Sequence, residues 1–598
     1  MRRREVLKAA VSAALPLPTA TAAITATAAT AAMPTAEPFE RVRPGMPGWP
    51  AEAQWAQLNS QLGGRLIRLG TPLAMTKSVR AELANPFFVG DTPELTQTSG
   101  WVDAWQSQPS SYAVAAHDAA DVAAAVNFAR EHQLRLVIKG GGHSYQGTSC
   151  APDSLLIWTR AMNSVAVIDG FVPQGGEGKM APQPAVSVGA GAMWADAYDA
   201  VTTRAGRYVQ GGGCTTVGVA GLVQSGGFGS FSKAYGTAAA GLLEAEVVTA
   251  DGRVRIVNAF QDPELFWGLK GGGGGSLAVV TRLTLRTREL PENFGAVFGT
   301  IEADSDDAYR ALIARVVEFC RENLVNRHWG EQIKLEGEKA LGLSLVFQGL
   351  SREQAMAVWQ PFVDWVKARP EYRLTRPLQV LVIPARHFWD APVLNRAVPG
   401  VMVPDDRSGA PPHHAVWAGD RDQVGWFIHG YHSAWLPADL LKPERQGALV
   451  DALFECKRYW DVALHLNKGL AGASADDIDA ARDTATHPQV LNAFALAIVA
   501  GGAGPAYAGL PAPDLTRARR SASTMERAAA RLLKVAPLAG AYVSESDFFQ
   551  SDWQQAFWGA NYARLLAAKR RYDPEGLFFV HHGVGSEGWS EDGFSRLV

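Results

Sequence analysis

RLVIKGGGHSYQGTS, residues 135–149, is an apolar and β-branched run that stops at three consecutive glycines, with a histidine directly after them. So bare a chain suits a tight turn, a phosphate loop, a metal ligand or a point of covalent attachment. The flanks narrow the choice. Upstream, YAVAAHD (112–118) alternates like a strand. AADVAAAVNFAREHQ (119–133) has helical spacing, with Asp118 or Asp121 as its cap. With LRLVIKG (134–140) as the next strand, this is a β-α-β unit, and the glycines begin where a parallel strand ends.

Two more glycine-rich stretches follow, at 211–229 and 271–275. Glycines let the backbone approach a ligand and aim successive N–H groups at an anion, and a dinucleotide pyrophosphate fits that pattern. GAGAMW (189–194) after AVSV begins like a Rossmann fingerprint, but Trp194 occupies the last glycine position. The region that should hold an acidic ribose partner reads RAGRYVQGGG (204–213), which excludes a Rossmann NAD site.

The 598 residues are 47% hydrophobic with a net charge of -3, enough for large cores and more than one domain. The near-neutral charge argues against nucleic-acid binding. Cys150, Cys214, Cys320 and Cys456 match no zinc spacing and leave one or two disulfides open. The pairs His413–His414 and His429/His432 lack an H-E-x-x-H pattern and following carboxylates, so they read as core or surface histidines, with no metal centre expected. The start, MRRREVLKAAVSAALPLP, followed by small-x-small sites near 26–32, reads as a twin-arginine-type export leader over 1–36. That predicts a periplasmic or extracellular protein. No later run reaches the ~18 apolar residues of a membrane span.

Residues 37–105 read as an irregular N-terminal extension, and 106–290 hold the glycine motifs. LLEAEVVTADGRVRIV (242–257) is a hairpin turning at Asp251-Gly252. Beyond Pro291 glycine thins, and helices alternate with strands over 291–540. A final segment, 541–598, carries one helix from about Trp553 to Tyr572, ended by Asp573-Pro574.

KGGGHSYQG, GGGCTTVGVAGLVQSGGFGSFSKAYG, DPELFWGLKGGGGGS and NYARLLAAKRRYDPEGLFF occur in that order. In this the chain resembles the berberine bridge enzyme-like flavoproteins of the vanillyl-alcohol oxidase superfamily. The resemblance implies an α+β fold: a bipartite p-cresol methylhydroxylase-type FAD-binding domain (106–290 with 541–598) and an α/β substrate domain with an antiparallel sheet (291–540). It implies FAD bonded through His143 to the flavin 8α-methyl and through Cys214 to carbon 6. Imidazole and thiolate are both nucleophiles, so the residue types fit. Gly140, Gly141, Gly142, Ser144, Gly147, Gly213, Thr215, Thr216, Gly218, Gly221, Gly226, Gly227 and Gly229 fall where relatives wrap the cofactor. Val217 falls over the flavin face that meets oxygen, where a small residue accompanies oxidases. Tyr542 matches the Tyr of a Y-x-N motif whose Asn is here Ser544. Tyr542 is the implied base if a neighbour lowers its pKa, with Glu545 as the substitute. His581 and His582 fall near the isoalloxazine. Trp389, Trp417, Trp426 and Trp435 cluster in the implied roof, where some would stack on substrate.

The implied activity is an FAD-dependent oxidase. It takes a hydride from a C–H beside OH or N of a sugar, alcohol or amine, with O2 as acceptor. A dehydrogenase with another acceptor, and an exported metal- or ligand-binding protein without flavin, are the alternatives.

Overall fold

The computed structural model describes residues 39–597, so the expected leader at 1–36 lies outside the described residues. The β-α-β unit forms as its pattern predicts. Asp118 caps the helix Ala119–Glu131 by accepting the Asp121 N–H, while Asp121 closes an ion pair with Arg65 at 2.6 Å. The strands Tyr112–Ala115 and Arg135–Lys139 are parallel but not neighbours, because Ser154–Trp158 lies between them and pairs with both. Leu66–Arg68 adds antiparallel at the edge.

The extension is therefore not irregular. Between 39 and 105 it supplies three helices and three strands, two of which join a different sheet. A second sheet orders Val254–Asn258, Leu242–Val248, Val279–Glu289, Gln183–Gly189 and Val165–Phe171, with Arg207–Val209 paired to Val279–Glu289. Its expected hairpin turn is present, with Gly252 at φ +75°. Trp194, which spoils the Rossmann fingerprint, is a fully buried core residue here.

The third sheet has nine described strands. They run Tyr372–Pro384, Asn293–Ala303, Ala340–Gln348, Trp329–Glu336, Val462–His465, Ala493–Ala503, Trp426–Pro437, Thr98–Trp101 and Trp105–Gln106. Only the pairing of Trp426–Pro437 with Thr98–Trp101 is parallel. Alternation sends successive side chains to opposite faces. Val297, Ile301, Ile333 and Leu464 join the helices Asp306–Phe319, Arg352–Lys367, Pro443–Lys457 and Leu515–Leu532 in one core. Ala296, Phe298, Gln332, Lys334, Ala463 and His465 face the other way, onto a cavity.

Two lysines of the glycine motifs fasten this frame. Lys139 Nζ donates to the carbonyls of Thr92 at 2.7 Å and Leu95 at 2.5 Å. Lys233 Nζ donates to the carbonyls of Leu466, Gly469 and Phe494, tying the Cys214 segment to the large sheet. Burial pushes the two amines down to about 8 and about 7.

The single helix expected over Trp553–Tyr572 is broken. Trp553–Trp558 stops at Gly559, where φ is +53°, and Tyr562–Tyr572 restarts after one tight turn. The His487 ring lies 3.1 Å from where a Gly559 Cβ would stand. Asn561 Nδ2 donates to Thr486 O at 2.7 Å, so tertiary packing sets the break. The helix ends at Asp573, as expected. There Lys569 Nζ, fully enclosed, donates to Asp573 at 2.5 Å, to Phe578 O at 2.6 Å and to Ser276 O at 2.7 Å. Asp573 also accepts the N–H groups of Leu577 and Phe578. This clamp returns the C-terminal segment to the third glycine run. Asp573→Ala strands a buried ammonium and should lower the unfolding free energy by about 3–5 kcal/mol. Arg482→Ala, which removes an exposed pair with Asp479, should cost less than about 1 kcal/mol in the same urea titration.

Candidate active site

The first two glycine motifs meet back to back. A Cβ on Gly141 would lie 2.9 Å from both Gly218 N and Thr216 O, and one on Gly218 would lie 3.0 Å from Gly141 N. No side chain fits between them, so the two loops run in direct backbone contact. That contact puts Thr216 beside His143, with His143 Nε2 3.0 Å from Thr216 Oγ1. Burial pushes the His143 imidazole down to about 4, with a hydrogen bond to Thr216 acting the other way. The ring is therefore neutral at neutral pH. In the tautomer that donates Nε2–H to Thr216, Nδ1 keeps a free lone pair.

Cys214 is half-buried and lies beside Asp420. Burial and then the Asp420 charge push the thiol well above its ordinary value. Burial also lifts the Asp420 carboxyl. The strap that carries Asp420 is pinned to the Cys214 loop. Thr215 Oγ1 donates to Ala415 O at 2.7 Å, and Trp417 Nε1 donates to Gly213 O at 3.1 Å. All four cysteines are free thiols, so neither disulfide left open by the composition forms.

His143, Gly213, Cys214, Thr216, Val217, Tyr542 and Glu545 line one cavity of about 830 Å³ beneath the nine-stranded sheet. This volume is in the range of a small-molecule site. One wall is apolar, with Phe294, Phe298, Ile383, Phe388, Trp389 and Trp417. A second part of the lining is polar, with Tyr145, Glu331, Tyr431, His465, Asn467 and Lys468. Of the four clustered tryptophans, Trp389, Trp417 and Trp426 reach the cavity, whereas Trp435 is buried against Phe228.

Glu331, Lys468 and Asp420 were not foreseen from sequence. Glu331 accepts from Ser230, and burial lifts its carboxyl above the ordinary range. Lys468 pairs with Glu545. Its ammonium lies 5.9 Å from the Tyr542 ring centroid. The condition for Tyr542 to act as a base is not met in this arrangement. Burial and then the Glu545 charge raise the phenol well above its ordinary value, against hydrogen bonds from Ser544 and Gly227. The nearby cation is neutralised by Glu545.

The other predicted residues stand behind this surface. Gly140 packs near Ala190 O, Gly142 takes φ +76°, and Gly147, at φ +71°, lies against the Trp105 ring. Ser144 Oγ bonds Thr148 Oγ1 at 2.7 Å. Gly226 meets Thr486, Gly227 meets Leu222 and Ala238, and Gly229 meets Gly211, while Gly221 faces open space. His581 is not among the cavity-lining residues. It stacks on Phe548 at 3.8 Å and bonds the Phe548 carbonyl at 2.9 Å.

Three buried acceptors on cavity-lining residues, Gln97 Oε1, Asp420 Oδ2 and Asn467 Oδ1, have no hydrogen-bond partner within the protein. Buried polar atoms are rarely left so, and a ligand with hydrogen-bond donors would satisfy them. A neutral imidazole and a thiol converging on the same cavity suit a flavin ring.

Known proteins agree. The FAD binding domain family matches residues 110–258, and the berberine and berberine-like family matches residues 541–585. The FAD-linked oxidoreductase malF of Malbranchea aurantiaca is 30% identical over 584 residues, spanning 91% of this chain and 92% of that protein. The VAO-type flavoprotein oxidase VAO615 of Thermothelomyces thermophilus is 29% identical over 611 residues, spanning 94% and 95%. The crystal structure of VAO-type flavoprotein MtVAO615 from Myceliophthora thermophila C1 superposes with a TM-score of 0.73 at 25% identity, over 94% of this chain and 100% of that one. Glucooligosaccharide oxidase from Acremonium strictum, described with a 6-S-cysteinyl, 8α-N1-histidyl FAD, shares the fold at TM-score 0.61 and 19% identity, over 88% and 98%. The fold and site are those of an FAD-dependent oxidoreductase of vanillyl-alcohol oxidase type. The chain belongs to the berberine bridge enzyme-like flavoproteins with a p-cresol methylhydroxylase-type FAD domain.

Several histidines of this region are held neutral. Burial pushes His143 and His487 down to about 4 and His582 to about 3. An unfolded chain protonates histidine near 6.5. Between about 6.5 and 4 the unfolded state thus binds more protons, and stability falls as pH is lowered through that window. Glu331 and Asp420, lifted by burial, act in the opposite sense at its acid end. The thermal midpoint should drop from about pH 7 to about pH 5.5, and His487→Gln should flatten that slope.

Proposed function

We propose that the protein is an exported FAD-dependent oxidase whose flavin is bonded to both His143 and Cys214. The observation that carries this reading is the placement of both nucleophiles, with Tyr542 and Glu545, on one cavity. When bound, FAD supplies the two-electron acceptor, taking a hydride from a substrate C–H beside OH or N and passing both electrons to O2 to give H2O2. His143 Nδ1 and Cys214 Sγ would be the atoms that attach it, each bond replacing a C–H of the ring with two electrons passed to O2, and the Asp420 carboxylate beside the thiol would take the thiol proton. The doubly linked flavin described for glucooligosaccharide oxidase supports the assignment.

The substrate OH or NH proton goes to the Tyr542–Glu545–Lys468 cluster. Substrate displaces Lys468 from Glu545, so the freed carboxylate accepts the proton directly or through the Tyr542 hydroxyl. The polar end of the cavity hydrogen-bonds a hydroxyl- or amine-bearing group, and the aromatic wall packs the rest of a sugar, alcohol or amine. Val217 lines the cavity as a small side chain, which favours oxygen as acceptor.

A screen of oligosaccharides, small alcohols and amines should give substrate-dependent peroxide in a one-to-one ratio with product. Glu545→Gln should cut kcat by about 10²-fold. Turnover with an artificial dye but without peroxide would replace the oxidase reading by the dehydrogenase one. The export part of the proposal rests on Arg3-Arg4 and the small-residue region of 1–36. Residues 1–36 fused to a folded reporter should carry it out of the cytoplasm, and changing Arg3 and Arg4 together to Lys should abolish this.

A further inference from the structure

Asp196, His413 and His414 converge away from the flavin cavity, although Asp196 lies more than 200 positions from the histidines. His413 Nε2 is 3.0 Å and His414 Nε2 is 2.9 Å from the same oxygen, Asp196 Oδ1. We infer that these three side chains bind one divalent transition-metal ion, of the Zn2+ type, which clasps the strap carrying Asp420 to the helix Trp194–Tyr198 that holds the loop carrying Cys214.

The donor set is two imidazoles and a carboxylate, borderline ligands that suit Zn2+ and leave one position open. All three ligand atoms lie within 4.8 Å of one another. Bonds of about 2.0–2.1 Å at tetrahedral angles need ligand atoms about 3.3 Å apart, so only small shifts are required. The two imidazole planes are perpendicular, with centroids 4.9 Å apart, and both Nε2 atoms approach the same Asp196 oxygen. His414 is held by a parallel stack on Phe87 at 4.3 Å. His413 Nδ1 lies 3.7 Å from Asp199 Oδ2, the outer carboxylate that orients a metal-bound imidazole.

The surroundings favour a cation. Asp196 Oδ2 accepts the Met193 N–H at 2.9 Å. Arg160, 4.0 Å away, is paired with Asp91, and Arg407 is paired with Asp91 and Asp405, so neither is an unopposed positive charge. His414 is 4% exposed while His413 is 27% exposed, which opens the site to solvent on one side.

The position gives the ion a use. Ala195 N donates to Thr215 O at 2.8 Å, and Thr215 Oγ1 donates to Ala415 O at 2.7 Å. Each outer ligand is thus one residue from a hydrogen bond to Thr215, next to Cys214. A metal here braces both backbones that hold that loop.

The test uses full-length flavin-loaded protein, stripped with EDTA, dialysed and titrated with Zn2+ by calorimetry. One equivalent should bind with a micromolar or tighter Kd, and Zn2+ should raise the thermal midpoint. His413→Ala, at a partly exposed position, and Asp196→Asn should each weaken binding at least tenfold and lose the thermal shift. His387→Ala, at a half-exposed histidine paired with Asp390, should bind as the wild type does. No stoichiometric binding by the wild type would overturn the inference and leave a hydrogen-bonded cluster only. Undiminished binding in His413→Ala would overturn it equally.

Discussion

Gly141 and Gly218 touch, and the placement of His143 and Cys214 follows from that contact. The two loops can lie backbone to backbone only because neither residue carries a Cβ. Their approach places Thr216 against His143 and brings the Cys214 thiol round to the same cavity. Each loop is also anchored from behind by a buried lysine. Lys139 holds the carbonyls of 92 and 95, and Lys233 holds those of 466, 469 and 494. The proposed covalent attachment would need its nucleophiles fixed before the ring arrives, and rigid backbone contact would fix them.

The opposite wall is assembled from parts far apart in the chain. One face of the nine-stranded sheet buries its apolar residues under four helices, and the alternate residues are left to define the cavity. Lys468 and Glu545 come from separate segments and meet beside Tyr542. Strands from 98–106 complete the sheet beside Trp426–Pro437, so the N-terminal extension is part of the roof rather than a leader into it. The strap around Asp420 closes the remaining side over Cys214.

Local patterns were legible. The β-α-β unit, the Asp251-Gly252 hairpin and the glycine loops all follow from spacing and turn chemistry. His143 and Cys214 stood out because the bare loops around them repeat one chemical theme. Contacts between distant segments were not legible. Glu331, Asp420 and Lys468 are single polar residues with no motif around them. The break at Gly559 depends on a histidine at 487, and the partner of the His413–His414 pair is an aspartate two residues after the false Rossmann turn. The expected role of Tyr542 missed that Lys468 would already be neutralised by Glu545.

The central claim is that two touching loops present His143 and Cys214 to one flavin ring. Proteolytic digestion of the unreduced, purified protein followed by peptide mass spectrometry tests it directly. The account predicts one species that contains the His143 peptide, the Cys214 peptide and a single FAD. Recovery of both peptides unmodified, or of flavin on any other residue, would contradict it.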